Sequence, residues 1–178
     1  GTRSLNFALQ AALNPPKPGK QERRFGELIF REGDRVMQTR NDYDVVWQKE
    51  DGTAGTGIFN GDVGKIAKID PSGELLEIVF DDRTATYTSD MLAELDMAYA
   101  MTVHKAQGSE YRGVVFVGAP CAPSLMVRGV LYTAITRARE LLVIVGDDSA
   151  VNKMAENDRR SRRYSGLKWR LRKGGEEK

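Results

Sequence analysis

One stretch of the sequence joins a helix-forming segment directly to an apolar run: Tyr132-Thr-Ala-Ile-Thr-Arg-Ala-Arg-Glu-Leu-Leu-Val-Ile-Val-Gly146. It places Arg137 and Arg139 where the pattern changes from helix to strand. A guanidinium stays charged at neutral pH and offers a rigid fork of donors that suits phosphate oxygens. The stretch therefore indicates a phosphate-reading group whose phosphate-binding loop lies elsewhere, so that this chain supplies one half of an active site.

Two apolar runs predict the sheet around this stretch. Residues 113–117 and 141–145 have the composition of buried strands, and a helical segment, 128–137, lies between them. Continuous apolar strands joined by helices are typical of a parallel sheet covered on both faces. Ligands of such sheets bind at the carboxyl ends of the strands, and we expect residues 102–110 to lie there.

Residues Arg3 to Leu13 predict a helix that ends at Asn14-Pro-Pro, because proline disfavours helix at the residue before it. Its apolar residues recur at the spacing of one buried face. They are Leu5, Ala8, Leu9, Ala12 and Leu13.

Between residues 25 and 88 the pattern is one of short strands separated by turns. Turn signals such as Asn60-Gly61 and Asp70-Pro-Ser-Gly73 separate four or five apolar segments at intervals of roughly ten residues. This spacing predicts a small antiparallel barrel or sandwich, inserted between the parts of the α/β domain.

Composition narrows the class of protein. With 27 Lys+Arg against 25 Asp+Glu among 178 residues, no overall field marks a nucleic-acid binder. A local basic segment exists at residues 159–173, which hold eight Lys or Arg, two aromatics and no acid; a solvated tail and a phosphate-contacting stripe both fit it. The single cysteine, Cys121, excludes an internal disulfide and a Cys-based zinc site, and a cytoplasmic setting without a membrane span is expected.

Two motifs resemble those of superfamily 1 DNA helicases. Motif V is matched by Ala98-Tyr-Ala-Met-Thr-Val-His-Lys-Ala-Gln-Gly-Ser-Glu-Tyr111, and motif VI by Leu131-Tyr-Thr-Ala-Ile-Thr-Arg-Ala-Arg-Glu140. Within that superfamily the chain is most similar to the RecD-like branch, whose inserted barrel is matched by Gly33-Asp-Arg-Val-Met-Gln-Thr-Arg-Asn-Asp-Tyr43 and Phe59-Asn-Gly-Asp-Val-Gly64.

The resemblance implies an α/β fold, namely a RecA-like, P-loop NTPase-type second motor domain with an inserted Src-homology-3-like β-barrel. The expected division is a motor domain at 1–30 and 95–158, an inserted barrel at 31–94 and a basic tail at 159–178. The chain begins at Gly1 rather than methionine, and we expect it to be part of a longer protein.

The resemblance also assigns roles to single residues. Arg137 matches the arginine finger that reaches the γ-phosphate of ATP, and Gly108 and Glu110 match positions near the nucleotide. Thr102 and His104 match contacts to the single-stranded DNA backbone, with Lys105 beside them.

Each of these residues also has an ordinary structural interpretation. His104 fits a surface histidine, Glu110 fits a capping or solvated acid, and Arg137 fits a surface ion pair. Arg139 fits a structural partner of Glu140 or of another neighbouring carboxylate, and it stays outside the expected catalytic set.

No phosphate-binding loop of the form G-x-x-x-x-G-K-[ST] is present. Gly19-Lys20 is followed by Gln21 and Gly64-Lys65 by Ile66, so neither pair has the hydroxyl that holds magnesium. The resemblance implies that ATP and Mg²⁺ are bound mainly by an N-terminal motor domain of the same protein. We expect the isolated 178 residues to be inactive.

The expected function is that of the C-terminal part of an ATP-dependent 5′-to-3′ DNA helicase of recombination and repair, with single-stranded DNA and other subunits of a recombination nuclease complex as partners. Two alternatives stay open: a non-enzymatic nucleic-acid or protein-binding module, and a superfamily 1 motor acting on RNA. On the barrel, Tyr43, Trp47 and Phe59 could stack bases, but we expect at least two of them to pack in the core.

Overall fold

A computed structural model describes residues 1–158, and the basic segment expected at 159–178 lies outside them. The chain divides into two compact units, Gly1–Ala106 and a second that begins at Gln107. The domain boundaries inferred from the resemblance stay a prediction. Within the part of the chain described here, no helix is both long enough and apolar enough to cross a bilayer.

The first unit begins with a helix and continues with short strands and a 3₁₀ turn. Its elements are α1 (Thr2–Leu13), β1 (Glu22–Phe25), β2 (Leu28–Arg31), β3 (Arg35–Gln38), β4 (Asp42–Gln48), β5 (Ala54–Ile58), β6 (Val63–Ile69), β7 (Leu75–Phe80), β8 (Arg83–Thr88), the 3₁₀ turn Met91–Glu94 and β9 (Leu95–Met97). β1 and β2 form an antiparallel hairpin of their own.

The other seven strands of this unit form one antiparallel sheet in the order β5-β4-β8-β7-β6-β3-β9. Side chains from both ends of that order, Ile58 on β5 and Met97 on β9, belong to the same buried cluster. The sheet therefore wraps around a single core, and we call it the barrel. Fully buried Phe80 and Tyr87 lie 6.0 Å apart, ring centre to ring centre, within this core.

The strands predicted between residues 35 and 88 are present, and Gly61 has the positive φ of 99° that the Asn60-Gly61 turn requires. β5 was missed because Ala54-Gly-Thr-Gly-Ile58 is rich in glycine, which weakens strand propensity. The prediction that at least two of the three barrel aromatics pack in the core is wrong. Only Trp47 packs against the core, whereas Tyr43 and Phe59 are 65% and 40% exposed and contact each other edge to face.

Helix α1 forms where it was predicted, but its buried face differs from the predicted one. Its buried residues are Asn6 and Gln10, whereas Leu5 and Leu13 of the apolar stripe are exposed. The physical reason is that the two amides donate hydrogen bonds to backbone carbonyls of the barrel unit, Asn6 to Ala100 and Gln10 to Ile29. These bonds determine which face of α1 turns inward.

The second unit contains β10 (Tyr111–Gly118), α2 (Arg128–Ile135), β11 (Ala138–Gly146) and α3 (Asp148–Glu156). β10 and β11 pair in parallel, as their apolar sequences predicted. The N-terminus of α3 is capped by the Asp147 carboxylate, which accepts from Ser149 N–H and Oγ–H. These bonds lower the pKa of Asp147.

Two expectations for this sheet were wrong. The strands are exposed rather than buried, with Val115 65% and Leu141 60% accessible, because among residues 107–158 only this one pair of strands forms. Residues 109–110 also precede β10, so they lie at the amino end of the strand pair and not at its carboxyl end. β9, which precedes Thr102, belongs instead to the barrel sheet.

Candidate functional site

Three contacts join the segments that matched motifs V and VI. Tyr111 N–H donates to the Arg137 carbonyl at 2.8 Å, and Arg137 Nη1 donates to the Ser109 carbonyl at 3.0 Å. Arg139 Nε donates to Glu110 Oε2 at 2.6 Å. These contacts arise because the amino ends of two parallel strands lie at one edge, with residues 109–111 beside 137–139.

The environment of Arg137 differs from that of an ordinary surface arginine. Its side chain is half-buried, and its guanidinium donates to the Thr133 carbonyl at 3.2 Å, the Ser109 carbonyl at 3.0 Å and Thr136 Oγ1 at 3.3 Å. All three acceptors are uncharged. Among the described residues no carboxylate forms an ion pair with Arg137, so the structure gives no support to the interpretation of Arg137 as a member of a surface ion pair. These hydrogen bonds orient the guanidinium without neutralising its positive charge, so it can still bind an anion.

Glu110 is exposed and pairs with Arg139. Arg139 therefore has the neighbouring-carboxylate partner that was one of its two structural interpretations, while Glu140 pairs with Arg112 through two hydrogen bonds of 3.0 and 3.1 Å. Because both ion pairs are well exposed, their contribution to stability is small. A ribose contact by Glu110 stays a prediction, and it requires the carboxylate to share or exchange its arginine.

Gly108 lies in the turn that precedes Glu110, with φ at +88°. This left-handed conformation favours glycine. Apart from the two adjacent residues, no heavy atom would lie within 4 Å of a Cβ added at this position. The open surroundings leave room for a ligand to approach the backbone, although contact with a nucleotide stays a prediction.

The three residues expected to contact DNA belong to the first unit. Thr102, His104 and Lys105 are all exposed and follow one another in a short turn. Thr102 Oγ1 accepts from the Lys105 N–H at 3.3 Å, and the Thr102 carbonyl accepts from the Ala106 N–H at 3.1 Å. The ammonium of Lys105 lies 3.1 Å from Asp96 Oδ2. A DNA backbone would compete with Asp96 for Lys105, whereas the Thr102 hydroxyl can still donate to an oxygen acceptor.

The structure thus brings Glu110 and Arg137 to one strand edge, with Gly108 just before it, and it places Thr102, His104 and Lys105 in one turn of the other unit. Sequence reasoning missed Ser109, whose contribution is a backbone oxygen and leaves no residue-type signal. It also missed Asp96 as the partner of Lys105, since nine residues separate them. Within residues 1–158 there is no group of three or more His, Cys, Asp or Glu arranged to hold a metal ion.

Comparison with known proteins connects this geometry to a family. Residues 5–80 match the SH3 domain of ATP-dependent RecD-like DNA helicases, and residues 97–145 match the UvrD-like helicase C-terminal domain. The second match contains all six residues assigned to the site. These matches confirm the expected fold class, a RecA-like motor domain with an SH3-like insertion.

Relatives and a solved structure agree with these matches. The chain is 36% identical over 162 residues to the ATP-dependent RecD2 DNA helicase of Deinococcus radiodurans, covering 91% of the chain and 20% of that protein. It is 32% identical over 143 residues to the RecBCD enzyme subunit RecD of Mycolicibacterium smegmatis, covering 80% of the chain and 23% of that subunit. The Pif1 helicase structure from Candida albicans has the same fold, with a TM-score of 0.52 at 15% identity over 90% of the chain and 46% of the Pif1 chain.

The chain thus spans about a fifth of the length of the curated relatives it matches. Both regions that carry the resemblance, the barrel and the pair of helicase motifs, are matched independently. The chain belongs to the RecD-like superfamily 1 helicases.

Proposed function

We propose that this chain is the C-terminal motor part of an ATP-dependent DNA helicase that moves 5′ to 3′ along single strands. The observation that carries the proposal is Arg137, a fixed and half-buried guanidinium whose hydrogen bonds all go to uncharged oxygens. The relatives named RecD2 and RecD supply the class of activity. Mg²⁺ and most of the ATP contacts belong, in this proposal, to an N-terminal motor domain of the same protein.

Bound ATP would supply a phosphoryl group for transfer to water. The part of Arg137 is to place positive charge where negative charge grows on the transferring group, and a preplaced arginine of this kind is worth roughly 10³ to 10⁵ in rate. Its three hydrogen bonds hold the guanidinium in place without neutralising it. Gly108 allows close approach to the backbone, and Glu110 offers a carboxylate for a ribose hydroxyl.

The same contacts provide a path from the nucleotide to DNA. Ser109 and Tyr111 are hydrogen-bonded to Arg137, and in this proposal a displacement of Arg137 would move the motif V segment with it. That segment continues through the chain to Thr102 and His104. Closing and opening around the nucleotide would therefore change the grip on the strand, which is how a two-state element converts hydrolysis into movement.

The proposal extends to the partners and the location of the protein. Single-stranded DNA is the proposed substrate along which the protein moves. Other subunits of a recombination nuclease complex are proposed partners, because one relative is named a subunit of RecBCD. We place the protein in the cytoplasm, the compartment in which a single exposed thiol, Cys121, stays reduced. The isolated 178 residues are proposed to hydrolyse no appreciable ATP.

The alternatives make different predictions. A binding module built on the barrel would bind nucleic acid or protein with salt dependence and would not need Arg137. An RNA motor would require the same Arg137, because backbone contacts by Thr102 and His104 need not detect the 2′-hydroxyl.

The experiment that tests the proposal is an unwinding assay with the full-length protein. Matched duplexes carry either a 5′ or a 3′ single-stranded tail, made of DNA or of RNA, and are incubated with and without ATP. The proposal requires ATP-dependent separation of the DNA duplex with the 5′ tail. Separation only from the 3′ tail refutes the polarity, and separation only on RNA tails supports the RNA alternative. Binding without separation on any substrate favours the binding module.

A further inference from the structure

A buried carboxylate lies outside the candidate site, in the turn between β2 and β3. Asp34 is fully buried and accepts four hydrogen bonds, two on each oxygen. Oδ1 accepts from Asn14 Nδ2 at 2.6 Å and from the Tyr99 hydroxyl at 2.8 Å. Oδ2 accepts from Gln10 Nε2 at 2.5 Å and from the Arg31 N–H at 2.8 Å.

The donors come from segments that are distant in the sequence. Gln10 and Asn14 lie on or at the end of α1, Arg31 ends β2, and Tyr99 lies two residues after β9. Burial, and after it the hydrogen bond to Asp34, raises the pKa of Tyr99 to about 12, so this hydroxyl remains a donor at any physiological pH. Asp34 therefore joins the helix, the barrel and the first residues of motif V.

Asn6 of α1 holds the start of motif V from a second point. Its Nδ2 donates to the Met97 carbonyl at 3.2 Å and to the Ala100 carbonyl at 2.9 Å, and its Oδ1 accepts from the Ala100 N–H at 2.7 Å. Residues 97–100 are thus held by Asn6 through their backbone and by Asp34 through Tyr99. Thr102 follows two residues later.

Stability alone is a weak explanation for this arrangement. No cation forms an ion pair with Asp34 among residues 1–158, and burying a carboxylate that only neutral donors satisfy carries a large desolvation cost. An apolar contact at this position would join α1 to the barrel at less cost. A carboxylate, unlike an apolar contact, fixes the orientation of the groups around it, because each oxygen accepts hydrogen bonds from two defined positions.

We propose that Asp34 is a positioning residue for motif V, which acts through Tyr99 to hold the segment before Thr102 at a fixed place on the barrel. The inference rests on the proposed function, since it assigns the strand contact to Thr102 and His104. With the segment held at Asn6 and at Asp34, these two exposed side chains stay in the geometry that grips the strand. We call these two sets of contacts, by Asn6 and by Asp34, the clamp. Without the clamp, the segment would have to become ordered each time DNA binds.

The test variant is Tyr99→Phe in the full-length protein, because phenylalanine keeps the ring that packs against the core and removes only the hydroxyl. The matched control is Tyr43→Phe, which alters an exposed tyrosine of the same barrel. Hydrolysis of ATP is followed against the concentration of single-stranded DNA. We expect the half-saturating DNA concentration to rise about tenfold in Tyr99→Phe, the loss of one charge-assisted hydrogen bond, while hydrolysis without DNA and the KM for ATP stay unchanged.

A second measurement tests, independently of any activity, whether the Tyr99 hydroxyl holds the segment in place. Hydrogen exchange at the Ala100 and Ala106 amides, which donate to Asn6 Oδ1 and to the Thr102 carbonyl, should accelerate in Tyr99→Phe and not in Tyr43→Phe. Unchanged exchange, or an unchanged half-saturating DNA concentration with only a lower melting temperature, overturns the proposal. If the unmodified protein shows no DNA-stimulated hydrolysis, the proposed function fails, and the exchange measurement still decides whether Asp34 holds the segment.

Discussion

Removing the Tyr87 hydroxyl should destabilise the barrel although the ring stays in place. Tyr87 is fully buried, and its hydroxyl donates to Gln38 Oε1 at 3.0 Å. Gln38 is fully buried as well, and its Nε2 donates to Glu94 Oε2 at 2.8 Å. In Tyr87→Phe, Gln38 Oε1 loses this donor in a place that water does not reach. Leaving a buried acceptor unsatisfied costs about 1–3 kcal/mol, and we expect a loss near the middle of that range.

The assay is urea unfolding followed by tryptophan fluorescence. Because the chain has two tryptophans, a Trp169→Phe background leaves Trp47, which packs against the same core, as the reporter. Tyr43→Phe is the control, since Tyr43 is exposed and its loss of a hydroxyl orphans no buried group. In a Gln38→Met background the cost of Tyr87→Phe should vanish or reverse, because no acceptor remains to be orphaned.

The same hydroxyl makes the barrel sensitive to alkali. Burial, followed by the negative charges of Asp42 and Glu94, raises the pKa of Tyr87 above its ordinary value. The folded state therefore holds its proton more tightly than the unfolded state, so the stability from this group is complete below about pH 10 and falls as the pH rises further. Tyr87→Phe should flatten that fall. Equal urea midpoints for Tyr87→Phe and Tyr43→Phe at pH 7, with parallel losses above pH 10, would show that the Tyr87 hydroxyl does not stabilise the barrel.

Three further outcomes are expected. Gly64→Ala should lower the free energy of unfolding of the barrel by about 1–3 kcal/mol, because its Cβ would lie 2.8 Å from both Ile78 Cγ2 and Phe80 Cδ1. Gly129→Ala should cause no such loss, because a Cβ there would have no neighbour within 4 Å. Equal urea midpoints for the two variants would contradict this expectation. Arg112→Ala should cost less than about 1 kcal/mol, because its pair with Glu140 is highly exposed, and a larger loss in thermal unfolding would show that the pair is not a surface contact. Cys121, which is exposed, should react with a thiol reagent in the folded protein as fast as in urea, and protection in the folded state would contradict its exposure.

Much of the architecture followed from local patterns. The two apolar runs predicted the parallel pair, and Asn60-Gly61 predicted its turn, because both signals depend on residues adjacent in the chain. The motifs also placed the site residues in two short segments. The partner of Arg137 could not be predicted in the same way, because the Ser109 carbonyl is a backbone atom.

The predictions that were wrong concern which side chains are buried by contacts with residues distant in the sequence. The apolar periodicity of α1 predicted the helix correctly but predicted the wrong buried face. Periodicity identifies the apolar side of a helix, but it does not identify the backbone carbonyls that accept hydrogen bonds from Asn6 and Gln10 on another side. Tyr43 and Phe59 followed the rule that barrel aromatics fill the interior, yet they pack on each other outside it. Asp34 gave no signal beyond a turn residue, although it collects donors from positions 10, 14, 31 and 99.

Arg137 is proposed to complete an ATP site shared with another motor domain. The most direct measurement is hydrolysis of ATP by the full-length protein with saturating single-stranded DNA, comparing unmodified protein, Arg137→Ala and the exposed control Arg112→Ala, with ATP binding measured in each. We expect a fall of roughly 10³ or more in the rate for Arg137→Ala, with ATP still bound, and little change for Arg112→Ala. A rate for Arg137→Ala equal to that of the unmodified protein would contradict the claim and favour a non-enzymatic binding module.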